Sequence, residues 1–241
     1  MFEKWKADFV LNFIENDRWE MLLKGLVVTL EITAVALVIG VVIGVVVAGI
    51  RSTYEKYGAE LKRRGDKGYY LLAAGNTLCR LYLTVIRGTP TVVQLLIAYF
   101  IIFASSNNSL GVAMFAFGLN SGAYVAEIIR GGIMSIDVGQ FEAGSSLGFS
   151  YLQTMHYIVV PQVVKNVLPA LFNEFIVLIK ETSIAGYIGI EDLTKMGDLI
   201  RSRTFSAFMP LIAVALIYLL LVMGLTALDD RLERRLRRNE R

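Results

Sequence analysis

Apolar residues in this chain gather into long runs rather than spreading evenly. No charged residue falls within 32–50, within 88–126 or within 204–228. An uncharged apolar run of about 18 or more residues can cross a bilayer as a helix. The run over 88–126 is too long for one crossing. Ser105-Ser106-Asn107-Asn108-Ser109 interrupts it with turn-forming residues, which predicts a hairpin of two helices, the first entering upstream near Leu71. A fourth apolar stretch, about 159–179, is interrupted by Asn166, Pro169, Asn173 and Glu174. The pattern predicts an all-α integral membrane protein with five transmembrane helices, at about 22–50, 72–104, 110–133, 159–181 and 204–228. An external or interfacial segment (1–20) precedes the membrane domain (21–228), and a basic cytoplasmic tail (229–241) follows it. A cytoplasmic loop (135–160) separates the third and fourth spans.

Composition supports the pattern. Hydrophobic residues make up 55% of the 241 and charged residues 19%, where a soluble domain carries about 25% charged; the mean hydropathy is +0.57. A soluble enzyme and a nucleic-acid binder are thereby set aside as leading readings. Residues 1–20 contain five carboxylates, unlike a secretory signal with its basic start and apolar run. Phe2, Trp5, Phe9 and Phe13 share one helical face, as in an interfacial amphipathic helix. Cys79 is the single cysteine; it can form no internal disulfide and reads as a small buried apolar residue.

Charge orients the chain. Lys and Arg favour the cytoplasmic side of a membrane. With the C-terminus inside, sixteen of them fall in the inner segments and eight in the outer ones. This places the N-terminus outside and the C-terminus in the cytoplasm. The basic run 231–238 directly follows a span and reads as an anchor to anionic membrane lipid rather than a nucleic-acid patch.

The segment 135–160 is only moderately apolar. Gly148-Phe149-Ser150 predicts a turn between two short helices, with Gly148 free to take positive φ and Ser150 capping the second helix. Pro161 would start or kink the following span. Such a pair is suited to docking another protein. Glu142-Ala143-Gly144, Gly148, Ile158 and Val160-Pro161 resemble, at matching spacing, the loop that permease subunits of bacterial ABC importers present to their ATPase: Glu-Ala-Ala, three residues, Gly, nine residues, Ile-x-Leu-Pro. Gly144 stands where that pattern has alanine, and Val160 where it has leucine. Leu23-Lys24-Gly25 with Thr29-Leu30, Arg87-Gly88-Thr89-Pro90 with Gln94, Gly122-Ala123-Tyr124 with Glu127 and Arg130-Gly131-Gly132, and Lys180-Glu181-Thr182-Ser183 extend the resemblance to the polar amino acid uptake permeases over about 20–230. The segment 54–70 departs from it as an insertion, whose alternating charges suggest a solvated helical extension.

The resemblance implies a type I ABC importer permease fold in the bacterial inner membrane, transporting a polar amino acid by alternating access. It implies as partners a pair of ABC ATPase subunits, an extracytoplasmic amino acid-binding protein, and a second permease copy or a related permease. Glu142, Ala143, Gly144, Gly148, Ile158 and Pro161 would couple to the ATPase. ATP and Mg would bind that partner and no cofactor this chain, which lacks a Gly-x-x-x-x-Gly-Lys-Ser/Thr phosphate loop.

Polar groups inside a membrane usually face a cavity or pathway. At 100° per residue, Gln162, Asn166, Asn173, Glu174, Lys180 and Glu181 fall within about 120° of one helix face. That face reads as pore wall, with helix–helix hydrogen bonding as the alternative. Tyr124 and Glu127 share a face of the third span with Asn120 and Gly131; Glu127 and Arg130 suggest an intramembrane pair. The candidate pathway residues are Asn173, Glu174, Asn166, Glu127, Tyr124 and Glu181. Glu174 would hold an ammonium or a cationic side chain, a lean toward neutral polar or basic substrates. His156 has no metal-ligating neighbours and reads as a packing or interface residue. No catalytic nucleophile and no metal site are expected. The rival readings are an ion-driven secondary carrier and a non-transporting membrane anchor or sensor subunit.

Overall fold

A computed structural model describes residues 2–238 of the chain, with side chains over 3–236. The described residues contain helices and no strand: α1 Phe2–Phe9, α2 Arg18–Arg64, α3 Gly68–Gly88, α4 Thr91–Ile97, α5 Ser109–Met134, α6 Val138–Ser146, α7 Tyr151–Thr154, α8 Val160–Glu181, α9 Leu193–Thr204 and α10 Phe208–Arg238. The end of the basic tail, 239–241, lies outside the described residues.

Helices meet the expected apolar runs, with informative differences. The pattern predicts one helix over 72–104, but α3 stops at Gly88 and Thr89 is extended (φ −124°, ψ 148°). Pro90 is the reason, because its ring disfavours the helical conformation of the residue before it. α4 then runs on through a widened turn, Ala98–Ile102. At the other end of the first span, α2 continues through the charged insertion to Arg64. Gly65 (φ +66°) turns the chain, and α3 starts at Gly68. α9 has no counterpart among the expected spans. It is a short polar helix, capped by the Asp192 carboxylate, which accepts from Thr194 N at 3.0 Å and Lys195 N at 3.3 Å.

The chain divides into two compact units. The first comprises Met1–Leu37, Thr91–Phe117 and Phe175–Asp230. Ile32, Leu95, Ala113, Phe117, Leu178 and Ala185 fill its larger core; Phe13, Leu22, Leu193, Met196, Ile200 and Val214 fill a second. Hydroxyls satisfy its buried polar groups. Thr29 Oγ1 donates to Gly25 O and accepts from Leu193 N at 3.1 Å, while Thr33 Oγ1 donates to Thr29 O at 2.7 Å. Gly25 permits this approach, since a Cβ there would lie 2.9 Å from Asp192 O and Leu193 Cα. The N-terminal segment joins the same unit: Trp5 meets Phe208 edge-on at 5.6 Å, and Asn12 bonds Ser206 and Thr204.

Burial pushes the Asp192 carboxyl up from its ordinary 3.8 to about 6. Between about pH 4 and pH 6 the folded state therefore holds a proton that the unfolded chain has released. The associated stability is complete below the unfolded value and is lost as pH rises through the folded one. Asp192→Asn keeps a capping oxygen and removes the titration. Its apparent Tm in detergent should vary less than the wild type's between pH 4.5 and 7.

The second unit comprises Val38–Pro90, Gly118–Glu174 and Arg231–Arg241. Val47, Cys79, Leu83, Ile86, Ala123 and Ala126 form one core, and Ile136, Val159, Val163 and Val167 another; Cys79 is buried. Small residues draw α2 and α5 together. A Cβ on Gly40 would sit 2.9 Å from Ser121 Oγ, and one on Gly44 2.5 Å from Val125 Cγ1. Gly40 and Gly44 are spaced as in the small-residue motif that lets membrane helices approach closely. Large apolar side chains are exposed on each unit: Val38, Val42 and Val46 of α2 on the second, and Leu211, Leu216, Leu220 and Met223 of α10 on the first. A soluble monomer rarely leaves so many large apolar side chains on its surface; a bilayer covers them.

Candidate functional site: a capped helical pair and a buried carboxylate

Local chemistry builds α6 and α7 closely. Asp137 caps α6, accepting from Gly139 N at 2.6 Å. The helix ends as Phe149 N donates to Gly144 O and Gly148 N to Ser145 O, both at 3.0 Å, with Gly148 at φ +81°. These paired bonds around a left-handed residue form a Schellman terminus, which glycine favours. Ser150 and Gln153 then make a reciprocal capping box that starts α7. α7 leads without a break through a π-helical turn, Met155–Val159, into α8. Pro161 thus neither begins nor sharply kinks the helix. The wider turn just before it takes up the conflict between a proline ring and the carbonyl four residues back.

The sequence departure at Gly144 has a local partner. Gly144 is buried against Thr154, and a Cβ there would lie 2.6 Å from Thr154 Oγ1 and 2.7 Å from its Cγ2. Glu142 and Ala143 are exposed, as are Val138, Leu147, Leu152 and Tyr157. Ile158 is half-buried, Pro161 exposed, and His156 packs its ring edge-on to Tyr157 at 4.8 Å. The pair therefore offers apolar side chains on a surface whose backbone is already hydrogen-bonded.

The candidate pathway residues separate into distinct settings. Glu174 is buried, 8% exposed, and its Oε1 accepts from Ser121 Oγ at 2.8 Å. Asn173 beside it is exposed. Asn166 donates to Ser135 Oγ at 3.0 Å. It lines a cavity of about 650 Å³ with Glu127, Ser135, Lys165, Pro169 and Glu233. Both acidic and basic side chains thus border that space.

Glu127 is held on both carboxylate oxygens. Arg51 bonds Oε1, and Arg130 donates to Oε2 through Nη2 at 2.9 Å. Glu55 adds contacts to Arg51 at 3.5 Å and to Arg130 at 3.8 Å. Tyr124 instead receives the Arg87 guanidinium, 5.7 Å from its ring centroid. Glu181 is half-buried in the first unit. Arg51 and Ser121 escape the sequence reading. Arg51 is visible there only as the first charge after an apolar run, and nothing nearby in sequence marks Ser121. Among the described residues, no cluster of His, Cys, Asp and Glu could hold a metal ion.

Three comparisons bear on this arrangement. A family described as "Binding-protein-dependent transport system inner membrane component" matches residues 68–238. The chain is 41% identical over 162 residues to the arginine transport system permease protein ArtQ of Bacillus subtilis (strain 168), covering 66% of this chain and 74% of that protein. It is 39% identical over 166 residues to the glutamine transport system permease protein GlnP of Escherichia coli (strain K12), covering 67% and 76%. A solved structure of an amino acid ABC transporter with histidines is similar at TM-score 0.80 and 37% identity, covering 92% of this chain and 98% of that one. The MetNI methionine ABC transporter, at TM-score 0.73 and 20% identity over 90% and 97%, shares the fold.

Proposed function

The chain belongs to the family of binding-protein-dependent transport system inner membrane components, and we propose that its cargo is a polar amino acid, moved by alternating access. Its fold is that of a type I ABC importer permease, and it is a multi-pass subunit of the inner membrane. The observation that carries the mechanism is the doubly capped pair α6–α7. Its backbone bonds are satisfied internally, so its exposed side chains are free to dock a separate ATPase dimer. Closure of that dimer on ATP would push on 138–157. The push would pass along the unbroken path from α7 into α8 and rock the spans as rigid bodies. The N-terminus would lie outside and the C-terminus in the cytoplasm.

The substrate class rests on two supports. Relatives 41% and 39% identical to this chain over 162 and 166 aligned residues are named for arginine and glutamine transport. The polar face of α8 carries a buried carboxylate at Glu174, able to meet an ammonium or guanidinium group. Asn166 and Asn173 offer amides to an anionic end. Glu127, committed to Arg51 and Arg130, would serve as a clasp bordering the path rather than as a substrate ligand. An extracytoplasmic binding protein would deliver the cargo, and a second permease copy or a related chain would complete the path.

The test is uptake of radiolabelled arginine, glutamine and histidine by proteoliposomes holding this permease with its ATPase and binding protein. ATP-dependent accumulation that survives ionophores is the expected result. Accumulation driven by an ion gradient without ATP would establish a secondary carrier. Assembly with no movement of solute would leave an anchor or sensor role.

A further inference from the structure

The end of α2, residues 51–64, lies against the docking pair, and one side chain ties them together. We propose that Lys56 is a positioning residue that clamps α6 to α7 and both to α2, so that a push on the pair moves it as one body. The inference rests on the reading of 138–157 as the ATPase-docking segment.

Lys56 Nζ lies 3.3 Å from the ring centroid of Phe141 on α6 and 4.8 Å from that of Tyr151 on α7. These two rings are nearly parallel, 12° apart in plane with centroids 6.4 Å apart. Tyr57 meets Tyr151 edge-on at 4.8 Å. No ion pair involves Lys56 among the described residues. Its ammonium is instead held on aromatic faces, where the ring quadrupole attracts a cation. On the same stretch of α2, Arg51 and Glu55 grip Glu127 and Arg130 in the last turns of α5. A short stretch of α2, residues 51–57, therefore holds the helix that enters the docking pair and both helices of the pair. The turn at Gly148 has nothing within 4 Å of a notional Cβ. The angle between α6 and α7 is therefore set by contacts to either side of that glycine: Gly144 against Thr154, Phe149 against Tyr157 at 6.3 Å, and the Lys56 clamp.

The experiment measures amino acid molecules moved per ATP hydrolysed in the reconstituted complex, together with its Tm. Lys56→Met should lower that ratio about twofold to fivefold, the range expected when a cation–ring contact at an exposed site is lost. Lys56→Arg should restore most of it. Tyr151→Phe, which keeps the ring face, should couple normally. Tyr151→Leu should uncouple, and adding Lys56→Met to it should cost little more. A Lys56→Met complex that couples like the wild type overturns the proposal. So does a Lys56→Arg complex as uncoupled as Lys56→Met, or a fall in Tm with no change in the ratio. Failure of the wild-type complex to move any amino acid would instead overturn the proposed function.

Discussion

Glu174→Gln is expected to reduce uptake about tenfold to a hundredfold while the protein still inserts and assembles. Glutamine preserves the shape of the side chain and an oxygen for the Ser121 hydroxyl, now 2.8 Å from Oε1. Packing inside the second unit should therefore persist. What disappears is a charged partner for a cationic group on the substrate. A hydrogen bond to a charged group contributes about 1.5–3 kcal/mol, and each 1.4 kcal/mol is tenfold in affinity. Uptake kinetics at fixed binding-protein concentration, with quantitative blotting of the permease, check the prediction. Basic substrates should suffer more than neutral ones. Equal uptake by Glu174→Gln and wild type would remove Glu174 from the pathway and leave it a helix-packing residue.

Gly144→Ala should weaken coupling even though it moves the segment closer to the pattern it resembles. Both branches of Thr154 stand in the way of the new Cβ, at 2.6 and 2.7 Å, so rotating the side chain exchanges one clash for the other. Overpacking of this kind costs about 1–3 kcal/mol, a fivefold to hundredfold loss if it falls on the docking-competent geometry. Thr154→Ala should rescue it. That substitution clears the space and breaks no hydrogen bond, because Thr154 Oγ1 is buried with no partner among the described residues. Substrate-stimulated ATP hydrolysis by the two single variants and the double variant measures the coupling between the positions. A double variant no better than Gly144→Ala would show that the glycine is needed for backbone freedom and not for space.

These two sites differ in how far they could be read in advance. The helical pair α6–α7 was legible because its chemistry is local: Gly148 turns the chain and Ser150 caps the next helix, while Asp137 and Gln153, which complete the caps, lie only a few residues away. The spans were legible because charge is excluded from them. α9 was not, since its charged sequence resembles a loop, and its one start signal, Asp192, is as common in turns as at helix starts. Pro90 was in plain view, yet the apolar run across it hid the break it enforces. Long-range pairings were the least accessible. Ser121 and Glu174 are 53 residues apart, and Arg51 and Glu127 are 76 apart. No local pattern announces such partners; only the packing of α2 against α5, allowed by Gly40 and Gly44, brings Arg51 within reach.

The turn at Gly65 between α2 and α3 has a practical use. Residues 62–67 are exposed, and Lys62, Arg63, Arg64 and Lys67 are four trypsin sites around a tip where nothing crowds Gly65. Protease reaches exposed loop tips first. With the proposed cytoplasmic C-terminus, intact right-side-out vesicles should protect this tip, whereas inverted vesicles should yield a discrete early fragment. One gel then reads the sidedness of the chain. The same tip should accept a fluorophore that leaves the spans and the docking pair untouched.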